Sequence, residues 1–401
     1  MKERPCLLFY CQHSLGIGHL IRSLTLAEAL SSQFRVVFLN GGRMPQSIAF
    51  PQGIEWIDLP PLGMDANNQL ISHGENLGVV QNKRLRLGKI LNVFESVKPD
   101  VVFIEMFPFG RKKFAFELLP LLKHVQSSRP KATVICSLRD ILVNSRRDQQ
   151  HHDDRAAWLV ERYFDAVLVH SDPGLFRLED SFRPLRPLRT PVYYTGFVVP
   201  QKHRNIAIHI KSSEIPDNGI VVSAGGGTVG GRLLRSAISA YPMIQEHRPI
   251  PMTVVAGPFM SDEEMGKLVH RSHQHPNLRV LRSVPNLTSI LSRSQASISQ
   301  CGYNTAMDIL YTGTKALFVP YSQNRENEQL RRAKALSKRG ISMYLPESSL
   351  SARTLADATL KLLDFTPTSH NLDLDGTYQT CAHVFNLYRW THSGGYCEHV
   401  A

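Results

Sequence analysis

Ser299-Gln300-Cys301-Gly302-Tyr303-Asn304-Thr305-Ala306-Met307-Asp308 is the stretch that decides the fold. A short apolar run, 296–298, leads into it, and a helix-like segment, 305–310, closes it. A second apolar run covers 315–320. A polar turn with Asn324, Glu326, Asn327, Glu328 and Gln329 follows. The order is strand, glycine turn, helix, strand, polar loop, helix. Units of this kind build parallel sheets, which hold ligands beyond the carboxyl ends of their strands. The stretch therefore reads as a place to hold a ligand.

Outward from it, the same alternation runs in both directions. Strand patterns at 219–224, 252–256, 278–281 and 341–345 alternate with helix patterns at 233–246, 262–272, 326–338 and 352–363. A segment rich in Lys, His, Ser and Pro, 200–218, breaks the pattern and reads as a linker. Before it, strands at 5–12, 35–40, 54–59, 100–105, 132–138, 166–170 and 192–199 alternate with helices at 20–30, 79–97, 111–125 and 155–163. A polar stretch, 63–76, reads as flexible, and the 79–97 helix shows a basic face of Lys83, Arg84, Arg86 and Lys89. The fold class is α/β, with two doubly wound, Rossmann-like domains. Their expected bounds are 1–200 and 201–365. A tail, 366–401, carries a helix at 378–388 that is free to pack back on the first domain. The expected active site is the cleft between domains.

Composition narrows the function. The chain has 401 residues, 42% of them hydrophobic, enough for two or three domains. No apolar run approaches the roughly 20 residues of a membrane-spanning helix. The 6–11 run is too short for the apolar core of a signal peptide, and Gln12-His13 ends it, so a cytoplasmic location is expected. The six cysteines form no CxxC pair, so neither a metal site nor a disulfide framework is read. The 46 Lys and Arg against 34 Asp and Glu give a net charge of +12. Phosphorylated small molecules, an anionic membrane surface and nucleic acid compete to explain it. No RNA-binding or helix-turn-helix pattern accompanies the charge, which argues against nucleic acid.

Four local patterns carry chemistry. Ser223-Ala224-Gly225-Gly226-Gly227-Thr228-Val229-Gly230-Gly231 follows a strand and opens a helix, as a phosphate-binding loop does. The dinucleotide motif would place an acid at the end of the next strand; Ala256-Gly257-Pro258 stands there instead. A tight strand-to-helix turn is the plain alternative. Gly16-Ile17-Gly18-His19 also joins a strand to a helix. A helix N-terminus lowers an imidazole's pKa, so His19 is a candidate general base. Arg22, one turn on, is an anion contact or a solvated residue. Glu105 and Arg139 end strands on the same expected edge. Glu105 would orient His19 or bind substrate hydroxyls; Arg139 and its neighbour Asp140 bind substrate or form a structural ion pair.

These residues resemble a GT-B fold nucleotide-sugar glycosyltransferase of the family-28 type, which includes the N-acetylglucosaminyltransferase of peptidoglycan synthesis. The resemblance covers most of the chain in architecture but only three motifs in detail. It implies a metal-independent enzyme without cofactor, with a nucleotide diphosphate sugar, UDP in kind, on the second domain. It implies that Gly226, Gly227 and Thr228 contact the diphosphate, that Gly302, Asn304 and Thr305 line the donor site, that Asp308 takes the ribose diol, and that Glu328 and Gln329 face the sugar. Asp308 stands three residues after Thr305, a capping-box spacing, so a helix cap is the competing role. Gly16 and Gly18 fall on the acceptor side with Arg22 and Arg139. The first loop also resembles the UDP-sugar hydrolase of pseudaminic acid biosynthesis. Hydrolysis or epimerisation, and non-catalytic binding of a nucleotide sugar, therefore stay open beside transfer. The acceptor is unnamed: small molecule, lipid-linked group or polymer. Its lipid-linked form would bring the basic 79–97 helix to the inner face of the membrane.

Overall fold

The computed structural model describes residues 4–13, 18–44, 51–65, 69–73, 78–144, 146–199, 215–226, 229–284, 286–322 and 327–392. The chain divides into two units. One comprises Met1–Pro200 with Leu372–Ala401, the other Gln201–Asn371.

In the first unit the strands are β1 (Cys6–Cys11), β2 (Arg35–Asn40), β3 (Ile54–Asp58), β6 (Val101–Glu105), β7 (Thr133–Arg139), β8 (Ala166–His170) and β9 (Val192–Tyr194). They pair in parallel in the order β3-β2-β1-β6-β7-β8-β9. A small antiparallel hairpin, β4 (Leu62–Met64) with β5 (Leu70–Ser72), lies outside this sheet. It occupies part of the stretch that reads as flexible from its polar residues. Hairpin pairing is set by partner strands, which local composition does not report. Four helices intervene: α1 (Gly18–Leu30), α2 (Val79–Val97), α3 (Ala115–Ser127) and α4 (Gln149–Tyr163).

Successive side chains of a strand face opposite sides of its sheet. Leu8 and Tyr10 of β1 join one core with Ile90 and Phe94 of α2 and Leu118 of α3. Leu7 and Phe9 join the other with Leu20 and Leu24 of α1. Burial on both faces explains why these strands read as continuous apolar runs. Fully burying one such side chain is worth about 1.5–3 kcal/mol.

The basic face expected on α2 needs a correction. Arg86 is fully buried. Its guanidinium donates to both Glu117 oxygens at 2.7 and 2.6 Å, to the Gly41 carbonyl at 2.8 Å and to the Pro60 carbonyl at 2.9 Å. Tyr10 donates to the same carboxylate at 2.5 Å. A buried guanidinium is tolerable when its donors and charge are met this fully. Arg86 is thus a structural pin, and the exposed cations of α2 are its neighbours.

The second unit repeats the logic. Strands β10 (Ile220–Ser223), β11 (Met252–Val255), β12 (Leu278–Leu281), β13 (Ala296–Ser299), β14 (Lys315–Phe318) and β15 (Met343–Tyr344) run parallel in the order β12-β11-β10-β13-β14-β15. Helices α5 (Gly231–His247), α6 (Asp262–Ser272), α7 (Leu287–Leu291), α8 (Tyr303–Thr312), α9 (Glu328–Lys338) and α10 (Ala352–Asp364) follow the strands in turn.

The last helix, α11 (Gly376–His392), belongs to the first unit. Phe197 donates to the Asp373 carbonyl at 2.8 Å, and Gly376 donates back to Phe197 at 3.0 Å. A Cβ at Gly376 would lie 2.5 Å from the Phe197 carbonyl carbon, so only glycine permits this approach. Cys381 and Val384 then bury against the α1 side of the sheet.

Candidate functional site

Each sheet reverses its winding once. In the first unit that point lies between β1 and β6, and in the second between β10 and β13. Diverging connections leave a crevice beyond the carboxyl ends there, where doubly wound sheets take ligands. Of the described candidates, His19, Arg22 and Glu105 lie at the first place and Gly226, Gly302, Asn304, Thr305 and Asp308 at the second, whereas Arg139 ends β7 and Glu328 and Gln329 follow β14.

In the first unit, α1 leaves the end of β1 and Glu105 ends β6. Tertiary pairing of the two strands brings their ends together. His19 Nδ1 lies 2.5 Å from Glu105 Oε1. Arg22 Nη2 donates to the same oxygen at 2.6 Å, one helical turn from His19. Arg111 Nη2 stands 3.5 Å from Glu105 Oε2. Glu105 is wholly buried, whereas the His19 side chain keeps 21% of its surface exposed. Arg22 is buried as well, so its role as a solvated residue is excluded.

Burial would raise the Glu105 carboxyl, but His19, Arg111 and Arg22 together hold it down at about 2. Burial pushes the His19 ring down to about 3 against the pull of Glu105, with Arg111 and Arg139 adding to the fall. The ring's direction is the one that stands: burial outweighs the pull of Glu105 on His19, and the guanidinia of Arg111 and Arg22 keep the carboxyl ionised without a charge on the ring. Two guanidinia compensate the carboxylate, so it does not hold a proton on the ring. His19 is neutral, its Nδ1–H donates to Glu105, and Nε2 keeps a lone pair. Such an imidazole can accept a proton, and the carboxylate behind it would stabilise the cation formed.

Behind this pair sits a residue that sequence reading misses. His170, at the end of β8, is fully buried. Its ring bonds Ser137 at 2.8 Å and Thr195 at 2.9 Å. Burial drives it well below its ordinary range, so it is neutral. Its position at a strand end was the available signal.

The second unit offers backbone instead of charge. Among the described residues of this unit, three helices start from capped residues: Ser261 accepts from Glu264 N–H, Asn286 from Ser289 N–H, and Ser351 from Thr354 N–H. The other three, α5, α8 and α9, have no side-chain cap at Gly230, Gly302 and Asn327. They follow β10, β13 and β14, which are adjacent in the sheet. The N–H groups and positive dipole end of a helix N-terminus favour an anion.

Gly230 has φ 132°, and a Cβ there would lie 2.7 Å from that of Ala224. Gly226 is in the turn after β10, its carbonyl accepting from Phe259 N–H at 2.9 Å. Gly227 and Thr228, like Gly16, Asn324 and Glu326, lie outside the described residues. Gly18 begins α1.

Gly302 precedes α8, whose first turn carries Asn304 and the buried Thr305. Asp308 is the sixth residue of that helix, so the capping-box role fails. The helix starts at Tyr303, two residues before the start that the pattern suggests. Asp308 accepts instead from Thr288 Oγ1 at 2.7 Å, tying α7 to α8. Burial raises its carboxyl to about 7.

Gln329 Oε1 accepts from Tyr321 N–H at 3.2 Å, and Glu328 opens α9 beside it. Arg332, one turn on, is fully buried and donates to the Cys301 carbonyl at 2.6 Å. It fastens α9 to the turn that opens α8, and nothing in its charged surroundings, 331–339, suggests burial. Arg139 ends β7. Among the described residues no group of three His, Cys, Asp or Glu is placed to hold a metal ion.

The fold has counterparts among known proteins. Residues 221–372 match the glycosyltransferase family 28 C-terminal domain. The UDP-N-acetylglucosamine–N-acetylmuramyl-(pentapeptide) pyrophosphoryl-undecaprenol N-acetylglucosamine transferase of Synechococcus elongatus is 28% identical over 185 residues, 45% of this chain and 46% of that one. The chain spans about half the length of the curated relatives it matches. Among solved structures, Acinetobacter baumannii MurG superposes with TM-score 0.58 at 15% identity, covering 95% of this chain and 100% of that one. A UDP-glucosyltransferase from Polygonum tinctorium gives 0.60 at 12% identity, covering 97% and 100%. The fold is GT-B, and residues 221–372 are family-28-like.

Proposed function

We propose that the protein transfers a sugar from a nucleotide diphosphate sugar, of the UDP type, to an acceptor hydroxyl. The observation that carries this reading is the 2.5 Å contact of His19 Nδ1 with Glu105, which leaves Nε2 as a proton acceptor. In the proposed step Nε2 removes the acceptor's hydroxyl proton as the oxygen attacks the anomeric carbon. The bond from that carbon to the diphosphate breaks, and the diphosphate leaves with the electron pair. Glu105 stabilises the imidazolium. On the second unit, the N-termini of α5 and α8 are the diphosphate contacts proposed. The relatives' printed names, which include a UDP-sugar donor, support the donor class. Asp308 would offer its second oxygen to the ribose diol, and Glu328 and Gln329 would face the sugar.

The test is a thermal-shift screen against UDP, GDP and TDP and their sugars, followed by nucleotide release with and without acceptors. UDP-sugar stabilisation with acceptor-dependent release is expected. Release at full rate in water alone would replace transfer by hydrolysis, and binding with no turnover on any acceptor would leave a binding protein.

Among the described residues no helix is long and apolar enough to cross a membrane. For a lipid-linked acceptor, α2 is the contact proposed. It exposes Val80 and Leu85 and bears Lys83, Arg84 and Lys89. Salt-sensitive sedimentation with anionic vesicles, absent with neutral ones, is expected.

A further inference from the structure

Glu105 uses its two oxygens unequally. Oε1 takes both His19 and Arg22, at 2.5 and 2.6 Å. Oε2 is buried and has no hydrogen-bond partner among the described residues. Arg111 Nη2 stands 3.5 Å from it, near enough for an ion pair and too far for a hydrogen bond. Arg111 Nη2 and Nε are themselves buried without a hydrogen-bond partner among the described residues. Unmet donors of this kind are costly, about 1–3 kcal/mol each.

The loop that presents Arg111 is also held against its backbone preference. Met106 has φ 66° and Arg111 φ 56°, a left-handed conformation that side chains other than glycine disfavour. Such residues persist where the surroundings over-determine them, and they collect at ligand sites. Arg22 and Arg111 both stand within ion-pair distance of the Glu105 carboxylate. Lys112 and Lys113 follow directly in sequence.

We propose that Arg111 is an anion-binding residue of the acceptor site, and that the acceptor is a hydroxyl-bearing phosphate or carboxylate. Arg111 donates to the anionic oxygen, and a hydroxyl of the same molecule donates to Glu105 Oε2. One ligand then meets both sets of atoms left without a hydrogen bond among the described residues. A neutral alcohol can also accept from the guanidinium, but an anionic oxygen makes the stronger, charge-assisted and bidentate bond. This assignment of acceptor class rests on the transferase reading above.

The test measures binding without turnover, by calorimetry at constant ionic strength. The probes are glucose 1-phosphate, glucuronate and methyl glucoside, and the proteins are the wild type, Arg111→Lys and Arg111→Gln. Saturable binding of one or both anions is expected, with the better of the two naming phosphate or carboxylate. Affinity should fall at least 10-fold in Arg111→Gln and less in Arg111→Lys, which keeps the charge but loses the fork. Should Arg111→Gln fail to fold, the Lys variant carries the comparison. Equal binding by wild type and variants, or methyl glucoside binding as well as the anions, overturns the proposal. Arg111-dependent anion binding in a protein that never turns over a sugar donor keeps the anion site and sinks the transferase reading. Turnover with neutral acceptors alone does the reverse.

Discussion

The two winding reversals are built from opposite materials. In the first unit the crevice is made of side chains: a neutral imidazole, two guanidinia and a buried carboxylate that joins them. In the second it is made of backbone: three adjacent helices that begin without a side-chain cap. Each material suits a task. Proton transfer needs a group whose charge can change, with its pKa set by neighbours. Holding a diphosphate needs many fixed donors at no cost in side-chain entropy, which N–H groups at helix ends supply.

That contrast can be broken at four points. The largest effect is expected from His19→Ala. It should lower kcat by about 100- to 10,000-fold and leave UDP binding within error; a turnover-neutral variant would remove the proton-transfer role. Glu105→Gln comes next. It strips the counter-charge from buried Arg22 and part-buried Arg111 and should cost about 3 kcal/mol in urea unfolding. A loss under 1 kcal/mol would mean that the guanidinia find other partners. Gly230→Ala addresses the backbone site. Its Cβ would press on Ala224 at 2.7 Å in a disfavoured conformation, so stability should fall by about 2 kcal/mol. Diphosphate affinity should fall with it, while the pH behaviour of His19 followed by NMR stays unchanged.

The smallest effect is a pH dependence. Asp308 has a folded pKa raised from 3.8 to about 7. The native state therefore binds the extra proton, and wild-type stability falls as pH rises between those values. Asp308→Asn does not titrate, so it should gain roughly 1–2 kcal/mol on wild type between pH 5 and pH 8, the shift being discounted for partial exposure. Parallel melting curves across that range would show the carboxyl to be unperturbed.

The contrast also explains what could be read from the chain. The backbone site was legible because a glycine turn between a strand and a helix is a local pattern. Ser223–Gly231 and Ser299–Asp308 display it within ten residues or fewer. His19 was legible for the same reason, and Glu105 stood out as an acid ending an apolar strand. The grouping of His19 and Arg22 with Glu105 and Arg111 was not legible, because it depends on β1 lying beside β6, which are far apart in the chain. Arg86 misled for a related cause, and the burial of Arg332 gave no signal at all. Each sits in a basic stretch that looks solvated, and only the packed structure supplies the carbonyls and carboxylate that bury it.

By itself, then, the sequence determined the alternation of strands and helices, the two doubly wound sheets and the glycine turns, since periodicity and backbone permissiveness act over a few residues. Tertiary structure alone decided which charges meet. It set Glu105 against His19, left Arg111 with idle donors, denied Asp308 a capping role and returned the last helix to the first unit. The physical reason is that charge pairing and burial are properties of neighbours in space, and strand order chooses those neighbours.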